Sequence, residues 1–215
     1  TCDVTVLAEA EALADFAWNE FGHVDVIVNN AGVGSTQQSV IGVTKEQAMK
    51  VLDVNLFGVW NGVNVFGKRL IEQGTPCAIY NVGSENSFFD AVPYGNAYVI
   101  SKHAVLALTD LLREEVPDFV EVGLICPGLV NSELGPGITF GMDTEKYTAM
   151  AMEQIKAGKF YIVSHAYNMK RIDDRYGEIK EAYSSYAPRY EGDVEFDVRT
   201  LMKAMAAQNQ GANAG

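Results

Sequence analysis

Four short apolar runs alternate with longer segments in which apolar residues recur every three or four positions. The runs lie at residues 24–30 (VDVIVNN), 77–83 (CAIYNVG), 119–126 (FVEVGLIC) and 159–163 (KFYIV). The first two are apolar at nearly every position, which is typical of parallel strands covered by helices on both faces. The pattern therefore predicts four strands of a parallel sheet.

The segments between these runs carry helix signals. Residues 6–21 are amphipathic and stop at Gly22, a residue type that commonly ends helices. A second helical pattern begins at Thr44, where Thr-Lys-Glu-Gln is a capping box, and a third covers residues 98–115. Helices that alternate with strands predict an α/β domain.

One domain is predicted for residues 1–205. Within it, residues 129–157 contain Gly135, Pro136 and Gly137 and look too irregular for a simple crossover helix. Two interpretations stay open for this segment, a lid over a binding site and an ordinary pair of surface helices. Residues 206–215 are small and polar, and a disordered tail is predicted there.

Composition narrows the classes of partner. A net charge of −12 opposes attraction to nucleic acid or anionic membranes, so neither partner is expected. The three cysteines are odd in number and widely spaced, which favours a reducing, cytoplasmic setting. No apolar run reaches the length of a membrane span. The histidines His23, His103 and His165 lack ligand spacing, and no metal site is expected.

A constellation of polar residues is predicted at one edge of the sheet. Ser84 follows the second strand, and Tyr98 and Lys102 stand one helical turn apart on one helix face. The small residues 30–32 follow the first strand, and Pro127 and Gly128 follow the third. Ligands of open α/β sheets bind at the carboxyl edge where these segments meet.

A second tyrosine and lysine share the same spacing. Tyr176 and Lys180 follow Ser164, but no later strand ending in Pro-Gly accompanies them. We therefore assign the catalytic role to Tyr98 and Lys102 instead.

The motifs resemble those of the short-chain dehydrogenase/reductase family, and they occur in the family's order. They are NNAG at 29–32, Asn55 within VNLFG, Ser84 within NVGS, Tyr98 to Lys102, and PGLVNS at 127–132. The resemblance implies a doubly wound, Rossmann-like parallel sheet and an oxidoreductase that uses NAD or NADP.

The resemblance also implies residue roles. Asn55, Ser84, Tyr98 and Lys102 would be catalytic, with Lys102 also on the nicotinamide ribose and Asn55 supporting a water chain to that lysine. Cofactor contacts would come from the two segments that end strands and from the amino terminus, together with the tyrosine and the lysine: Asp3, Val4, Asn30, Ala31, Gly32, Tyr98, Lys102, Pro127, Gly128, Val130 and Ser132. Asn55 has a second interpretation, a local hydrogen bond within its helix.

The chemistry of Tyr98 and Lys102 is plausible on physical grounds alone. Ionising a tyrosine of pKa about 10 costs roughly 4 kcal/mol at neutral pH. An ammonium held about 4 Å away returns roughly 4 kcal/mol at an effective dielectric constant near 20. Tyr98 would then exchange a proton with a substrate alcohol or ketone, and Ser84 would orient the substrate oxygen.

The family's glycine-rich turn, TGxxxGxG, does not occur in the sequence. We therefore expect the chain to be an N-terminally incomplete version of a longer protein, with the first strand exposed at its edge. The strand that distinguishes NAD from NADP would lie in the same part, so the choice between them stays open.

The leading functional hypothesis is interconversion of a secondary alcohol and a ketone on a small molecule. An apolar or aromatic substrate is suggested by aromatic and methionine side chains in the predicted lid and after Ser84: Phe88, Phe89, Phe140, Met142, Tyr147, Met150 and Met152. Alternatives are a non-catalytic nucleotide-binding or scaffold protein and a cofactor-using epimerase or dehydratase. A homo-oligomer, dimer or tetramer, is expected by resemblance, with subunits paired through the long helices.

Overall fold

The computed structural model describes residues 1–132, 134, 140–187, 189, 191–192 and 197–212, the side chains of 208–212 excepted. The chain divides into two compact units, Thr1–Met169 and Lys170–Gly215, and the first contains the sheet. A single domain over residues 1–205 stays a prediction beside this division.

The sheet has four parallel strands in the order β1-β2-β3-β4 within the described residues. All four coincide with the predicted apolar runs: β1 is Val26–Asn29, β2 Cys77–Val82, β3 Val120–Cys126 and β4 Tyr161–Val163. The predicted parallel α/β sheet is confirmed.

The helices begin and end close to the predicted signals. Gly22 ends α1 in the left-handed conformation with φ of 78°, and Thr44 caps α2 in a full capping box with Gln47. The described helices are α1 (Leu7–Phe21), α2 (Lys45–Leu52), α3 (Val59–Gln73), α4 (Asn96–Glu115), α5 (Thr144–Lys156), α6 (Met169–Tyr186) and α7 (Val198–Ala212). A π-helical turn, Asp53–Gly58, joins α2 to α3.

Alternate residues of β2 point to opposite faces of the sheet, and both faces are covered. Cys77 and Ile79 pack in a core with Leu70 of α3. Ala78 and Tyr80 pack on the other face in a core with Ala151 of α5. This double coverage explains why the strand is apolar at successive positions.

The outer edge of β1 is open. No described strand pairs with it, and Val26 and Val28 are 53% and 46% exposed. A groove of about 730 Å³ runs along this strand, lined mainly by apolar residues of α1, β1 and α3. The predicted exposure of this edge is confirmed.

Residues 144–156 depart from the irregular segment that the sequence predicted. They form the regular helix α5, in which Tyr147, Ala151 and Ile155 pack against the sheet. Residues 133 and 135–139 of the predicted lid, with Gly135, Pro136 and Gly137, lie outside the described residues.

The carboxyl-terminal residues also differ from expectation. Residues 206–212 belong to α7, whereas a disordered tail was predicted from 206, and 213–215 lie outside the described residues. The reason is composition, since the alanine and glutamine residues of this segment are good helix formers that continue α7.

Candidate active site

Ser84 lies in a tight turn directly after β2. It caps a short 3₁₀ turn, Glu85–Ser87, where its Oγ accepts a hydrogen bond from the Asn86 backbone N–H at 3.2 Å. The Ser87 hydroxyl donates to the Lys102 carbonyl at 2.8 Å and ties the turn to α4. The Ser84 side chain is therefore held by its own turn, and Ser87 fixes that turn to α4.

An unusual backbone conformation positions the first turn of α4. Tyr94 and Asn96 both have positive φ, 65° and 28°, which is uncommon for residues other than glycine. The Asn96 amide donates to the carbonyls of Thr36 and Gln38 at 2.7 and 3.0 Å. These bonds anchor the start of the helix that carries Tyr98.

The structure brings Ser84, Tyr98 and Lys102 together. Lys102 Nζ lies 5.7 Å from the centroid of the Tyr98 ring. Burial raises the pKa of Tyr98, while a hydrogen bond with the Ser84 side chain lowers it and the negative charge of Glu85 raises it. The three side chains of the predicted catalytic trio are thus close together. Tyr98 is more buried than the sequence-based prediction assumed.

Lys102 is only 4% exposed, and its Nζ donates to the Val82 carbonyl at 2.8 Å. Burial lowers the pKa of its ammonium to about 8, with a small opposing effect from Cys126. Burial also raises the pKa of the Cys126 thiol to about 12, so this neighbour stays neutral. Lys102 therefore changes charge within an accessible pH range.

Asn55 is fully buried in the π-helical turn and does not bond locally. Its Oδ1 accepts from the Val33 N–H at 2.7 Å, and its Nδ2 donates to the Val33 carbonyl at 2.9 Å and to Ser101 Oγ at 3.2 Å. Asn55 thereby links the turn after β1 to α4. Its role in a water chain stays a prediction.

The NNAG segment approaches the trio at Gly32. A Cβ at Gly32 would lie 3.4 Å from Asn55 Oδ1 and 3.8 Å from Lys102 Nζ. Asn30 and Ala31 line the groove along β1, on the other side of the turn. The segment thus connects the groove to the predicted catalytic residues.

The amino-terminal cofactor candidates lie near that groove. Val4 lines it, and a Cβ at Gly58 would lie 2.6 Å from Val4 Cγ2. Asp3 Oδ1 accepts hydrogen bonds from the Thr5 N–H and hydroxyl at 2.9 and 2.8 Å, which hold the pKa of its carboxyl below the ordinary value. A role for Asp3 and Val4 beside adenine stays a prediction.

Pro127 and Gly128 follow β3 and pack against the turn that carries Ser84. The Pro127 carbonyl accepts from the Glu85 N–H at 2.9 Å. A Cβ at Gly128 would lie 2.3 Å from His165 Nδ1, so no larger residue fits there. Farther along, Val130 forms a bridge with Met142, and Ser132 is exposed; their cofactor contacts stay predictions.

Sequence reasoning missed a polar cluster beside the trio. Glu85 accepts hydrogen bonds from the Asn168 amide and from the Tyr167 hydroxyl, and Ser164 Oγ pairs with His165 Nδ1 at 2.7 Å. The position of Glu85 next to Ser84 was a usable signal. Its partners lie more than eighty positions away, and nothing in the local pattern points to them.

Several aromatic residues proposed as substrate contacts belong to the core. Phe89 is 5% exposed, Phe88 packs beside Cys126 and Leu124, and Tyr147 packs on the sheet. The loop after Ser84 folds inward and buries Phe89, which argues against a substrate contact for this residue, while the contacts predicted for the partly buried Phe88 and Tyr147 stay predictions. Phe140 and Met152 remain exposed at 66% and 43%.

The second tyrosine and lysine pair lies elsewhere in the chain. Tyr176 and Lys180 are exposed on α6, a helix with no buried residue. Tyr183 and Tyr186 on the same helix are also exposed, and Tyr190 lies outside the described residues. The pair is therefore a suitable control for the predicted catalytic pair, Tyr98 and Lys102.

None of the described helices combines the length and apolar character that crossing a membrane requires. No group of three or more His, Cys, Asp or Glu side chains in this part of the chain could hold a metal ion.

One family of known proteins matches more than half of the chain. The sequence profile described as short chain dehydrogenase matches residues 1–139. The chain belongs to the short-chain dehydrogenase family. Members of this family of oxidoreductases use NAD or NADP.

Individual relatives cover much of the chain. A 1-deoxy-11-beta-hydroxypentalenate dehydrogenase from Streptomyces exfoliatus is 32% identical over 190 residues, 83% of this chain and 68% of the relative. A putative short-chain dehydrogenase structure from Novosphingobium aromaticivorans is 28% identical with a TM-score of 0.79, covering 98% of this chain and 75% of that one. A short chain dehydrogenase/reductase from Burkholderia phymatum in complex with NAD is 25% identical with a TM-score of 0.76, covering 88% and 78%. The doubly wound, Rossmann-like fold is confirmed.

The residues beside the trio fit the nicotinamide half of such a cofactor. Gly32 leaves its Cβ position open next to Lys102 Nζ, and that ammonium uses one of its three donors on Val82. Two donors remain for ribose hydroxyls. The pyrophosphate half has no counterpart in the sequence, which lacks the glycine-rich turn.

Proposed function

We propose that the protein interconverts a secondary alcohol and a ketone with NAD or NADP. The observation that supports this proposal best is the assembly of Ser84, Tyr98 and Lys102 at the carboxyl edge of the sheet. A hydroxyl, an ionisable phenol and an ammonium in contact are what proton exchange with an alcohol oxygen requires.

A nicotinamide cofactor held beside Gly32 and Lys102 would supply or accept the hydride of the proposed reaction. Ser84 Oγ hydrogen-bonds the substrate oxygen and fixes its distance from Tyr98. In alcohol oxidation, the Tyr98 phenolate takes the hydroxyl proton, and in ketone reduction the phenol returns it. Lys102 stabilises the phenolate, and Asn55 keeps the turn after β1 against α4.

Lys102 supplies part of the stabilisation that the phenolate needs. If the 5.7 Å between Lys102 Nζ and the Tyr98 ring centroid is taken as the charge separation, Coulomb's law with an effective dielectric constant of 20 gives about 3 kcal/mol. Burial of Tyr98 opposes ionisation further. Additional positive charge, such as that of an oxidised nicotinamide, is therefore needed near the phenol at neutral pH.

The substrate is proposed to be a small molecule with an apolar body. The name of the Streptomyces relative describes a dehydrogenase of a hydroxylated compound, which supports an alcohol as the reacting group. The exposed Phe140 and Met152 support apolar contacts on the substrate side.

The alternatives use the same fold differently. A scaffold protein would not need Ser84 and Lys102 to be buried around Tyr98. An epimerase or dehydratase would return its cofactor unchanged, so net cofactor reduction with an alcohol separates it from the proposed reaction.

The test compares Tyr98→Phe with the parent chain. Each nicotinamide cofactor is supplied with aryl and alkyl secondary alcohols, and cofactor reduction is followed. Loss of the phenolic proton acceptor should lower kcat/KM by about 100-fold to 10,000-fold, whereas the control Tyr176→Phe should leave it unchanged. Parent-level turnover by Tyr98→Phe would show that the proton-transfer role is wrong.

A homo-oligomer is also proposed. The exposed apolar side chains Phe57, Trp60, Ile100 and Leu111 on the segments around α3 and α4 support pairing through these helices. Light scattering of Trp60→Glu should report a smaller particle than the parent chain. The free state of all three cysteines supports a cytoplasmic setting, which cell fractionation would check.

A further inference from the structure

The turn after β4 holds the carboxylate of Glu85 beside the catalytic trio, and the end of β3 holds its backbone. Its Oε2 accepts from the Asn168 amide and, at 3.4 Å, from the Tyr167 hydroxyl, both in the turn after β4. Its backbone N–H donates to the Pro127 carbonyl at 2.9 Å. The side chain of Glu85 therefore holds one position relative to Ser84, the preceding residue.

This carboxylate acts on the reacting centre. Its negative charge raises the pKa of the Tyr98 phenol, the group assigned to proton transfer. The absence of a side chain at Gly128 lets the His165 ring and the Glu85 carboxylate approach the backbone after β3, since a Cβ there would lie 2.3 Å from His165 Nδ1 and 3.0 Å from Glu85 Oε2. Glu85 is only partly buried, and it directly follows Ser84, the residue assigned to orient the substrate oxygen.

Hydrogen-bond acceptors around Glu85 are left without donors. Among the described residues, no hydrogen bond reaches Glu85 Oε1, and no lysine, arginine or histidine forms a salt bridge with this carboxylate. The buried Oδ1 of Asn168 likewise has no donor in this part of the chain. Asn168 itself is 8% exposed, and its amide must turn Nδ2 towards Glu85, which leaves Oδ1 as the orphan. A donor supplied by a ligand would satisfy Glu85 Oε1.

We propose that Glu85 is a specificity-determining residue that accepts a hydrogen bond from a hydroxyl or ammonium group adjacent to the reacting carbon of the substrate. The inference rests on the proposed alcohol and ketone chemistry and names its substrate class: vicinal diols, hydroxyketones and amino alcohols with an apolar remainder. The carboxylate discriminates because it is an acceptor only and cannot donate to a second carbonyl.

The experiment uses three substrates that share one apolar body. They are 1-phenylethanol, 1-phenyl-1,2-ethanediol and 2-amino-1-phenylethanol, each assayed for kcat/KM with the full chain and each cofactor. The parent chain should prefer the diol and the amino alcohol over 1-phenylethanol by about 10-fold to 100-fold, the range for a hydrogen bond to a charged group. Glu85→Gln keeps an acceptor for Asn168 but removes the charge, so the ratio of amino alcohol to 1-phenylethanol should fall by about the same factor.

Two further variants separate recognition from structure. Glu85→Asp keeps the charge and should recover part of the preference. Glu115→Gln removes an equal charge at the opposite end of α4 from Tyr98 and should leave all three substrates unchanged. Thermal unfolding of Glu85→Gln checks that the turn is intact.

A pH profile gives a readout that a structural role would not move. The charged or titratable groups facing Tyr98 are Glu85 and Lys102, with Cys126 beyond the lysine. Because the Glu85 charge raises the pKa of Tyr98, Glu85→Gln should shift the rise of 1-phenylethanol oxidation to lower pH. Lys102 and Cys126 are present in both the parent chain and Glu85→Gln, so the shift reports the charge of Glu85.

The outcomes separate the inference from the function on which it rests. No turnover of any of the three alcohols by the parent chain would refute the proposed function and the inference with it. Turnover with equal kcat/KM for all three, or a substrate ratio that Glu85→Gln leaves in place, would refute the inference alone.

Discussion

Replacing Lys102 by methionine tests the electrostatics of the site most directly. The change keeps the length of the side chain and removes the ammonium that lies 5.7 Å from the Tyr98 ring. The lost attraction is about 3 kcal/mol at an effective dielectric constant of 20. At about 1.4 kcal/mol per pH unit, the pKa of Tyr98 should rise by about two units.

The expected loss of activity depends on pH. Alcohol oxidation requires the phenolate, so kcat/KM of Lys102→Met should be about 100-fold lower than the parent value at pH 7. Burial lowers the pKa of Lys102 to about 8, so the parent chain loses its positive charge above that pH. The two curves should therefore converge as the pH rises past about 8, over a broad range because the tyrosine and lysine titrate as a coupled pair.

The assay is the pH dependence of kcat/KM for 1-phenylethanol oxidation, measured by cofactor reduction. Lys102→Arg keeps a positive charge and should retain a profile closer to that of the parent chain. Lys180→Met, at the exposed pair on α6, is the matched control and should not change the profile. Saturating cofactor separates the pH effect from weaker ribose binding.

A parallel drop at every pH would refute this reasoning. Such a result would mean that Lys102 positions the cofactor or the helix without tuning the phenol. An unchanged midpoint of the Lys102→Met profile would have the same meaning.

Two further predictions concern stability. Because the folded pKa of Lys102, about 8, lies below its ordinary value of 10.5, the native state should gain stability as the pH rises from 8 to 10.5, and Lys102→Met should abolish that gain in denaturant titrations. At pH 7 the same variant should be more stable than the parent by up to about 3 kcal/mol, less the cost of leaving the Val82 carbonyl unpaired; a less stable variant would contradict the burial cost. In α3, Gly62→Ala should lower the free energy of unfolding by about 1 to 3 kcal/mol because the new Cβ would lie 2.0 Å from Asn29 Oδ1. Gly67→Ala meets its nearest atom at 3.8 Å and should instead add about 0.5 to 1 kcal/mol through helix propensity; equal effects of the two substitutions would refute the steric argument.

The strands of the sheet could be predicted from the sequence because a strand that is buried on both faces needs apolar residues at successive positions. Cys77 to Tyr80 had to be apolar to pack against helices on both sides, and the strand was found from that run. The capping box at Thr44 and the stop at Gly22 were readable for the same reason, since each satisfies backbone groups locally.

Features that depend on contacts with residues far away in the sequence could not be predicted from the sequence. Asn55 lies in the π-helical turn Asp53–Gly58. Its side chain forms hydrogen bonds with Val33 and Ser101, which lie 22 and 46 positions away. The inward fold of Phe88 and Phe89 likewise depends on the core that they enter. Spacing located Tyr98 and Lys102, but the shifts in their pKa values come from burial, which only the folded chain defines.

The unpaired edge of β1 sets how the isolated chain should behave in concentrated solution. Its free backbone groups and the half-exposed Val26 and Val28 offer a template on which a second strand can add. The net charge of −12 keeps copies apart at low ionic strength. Added salt shortens the range of that repulsion to about 3 Å at 1 M. The polypeptide should therefore precipitate when salt is added. A peptide that pairs with the edge of β1 as an extra strand should prevent this precipitation.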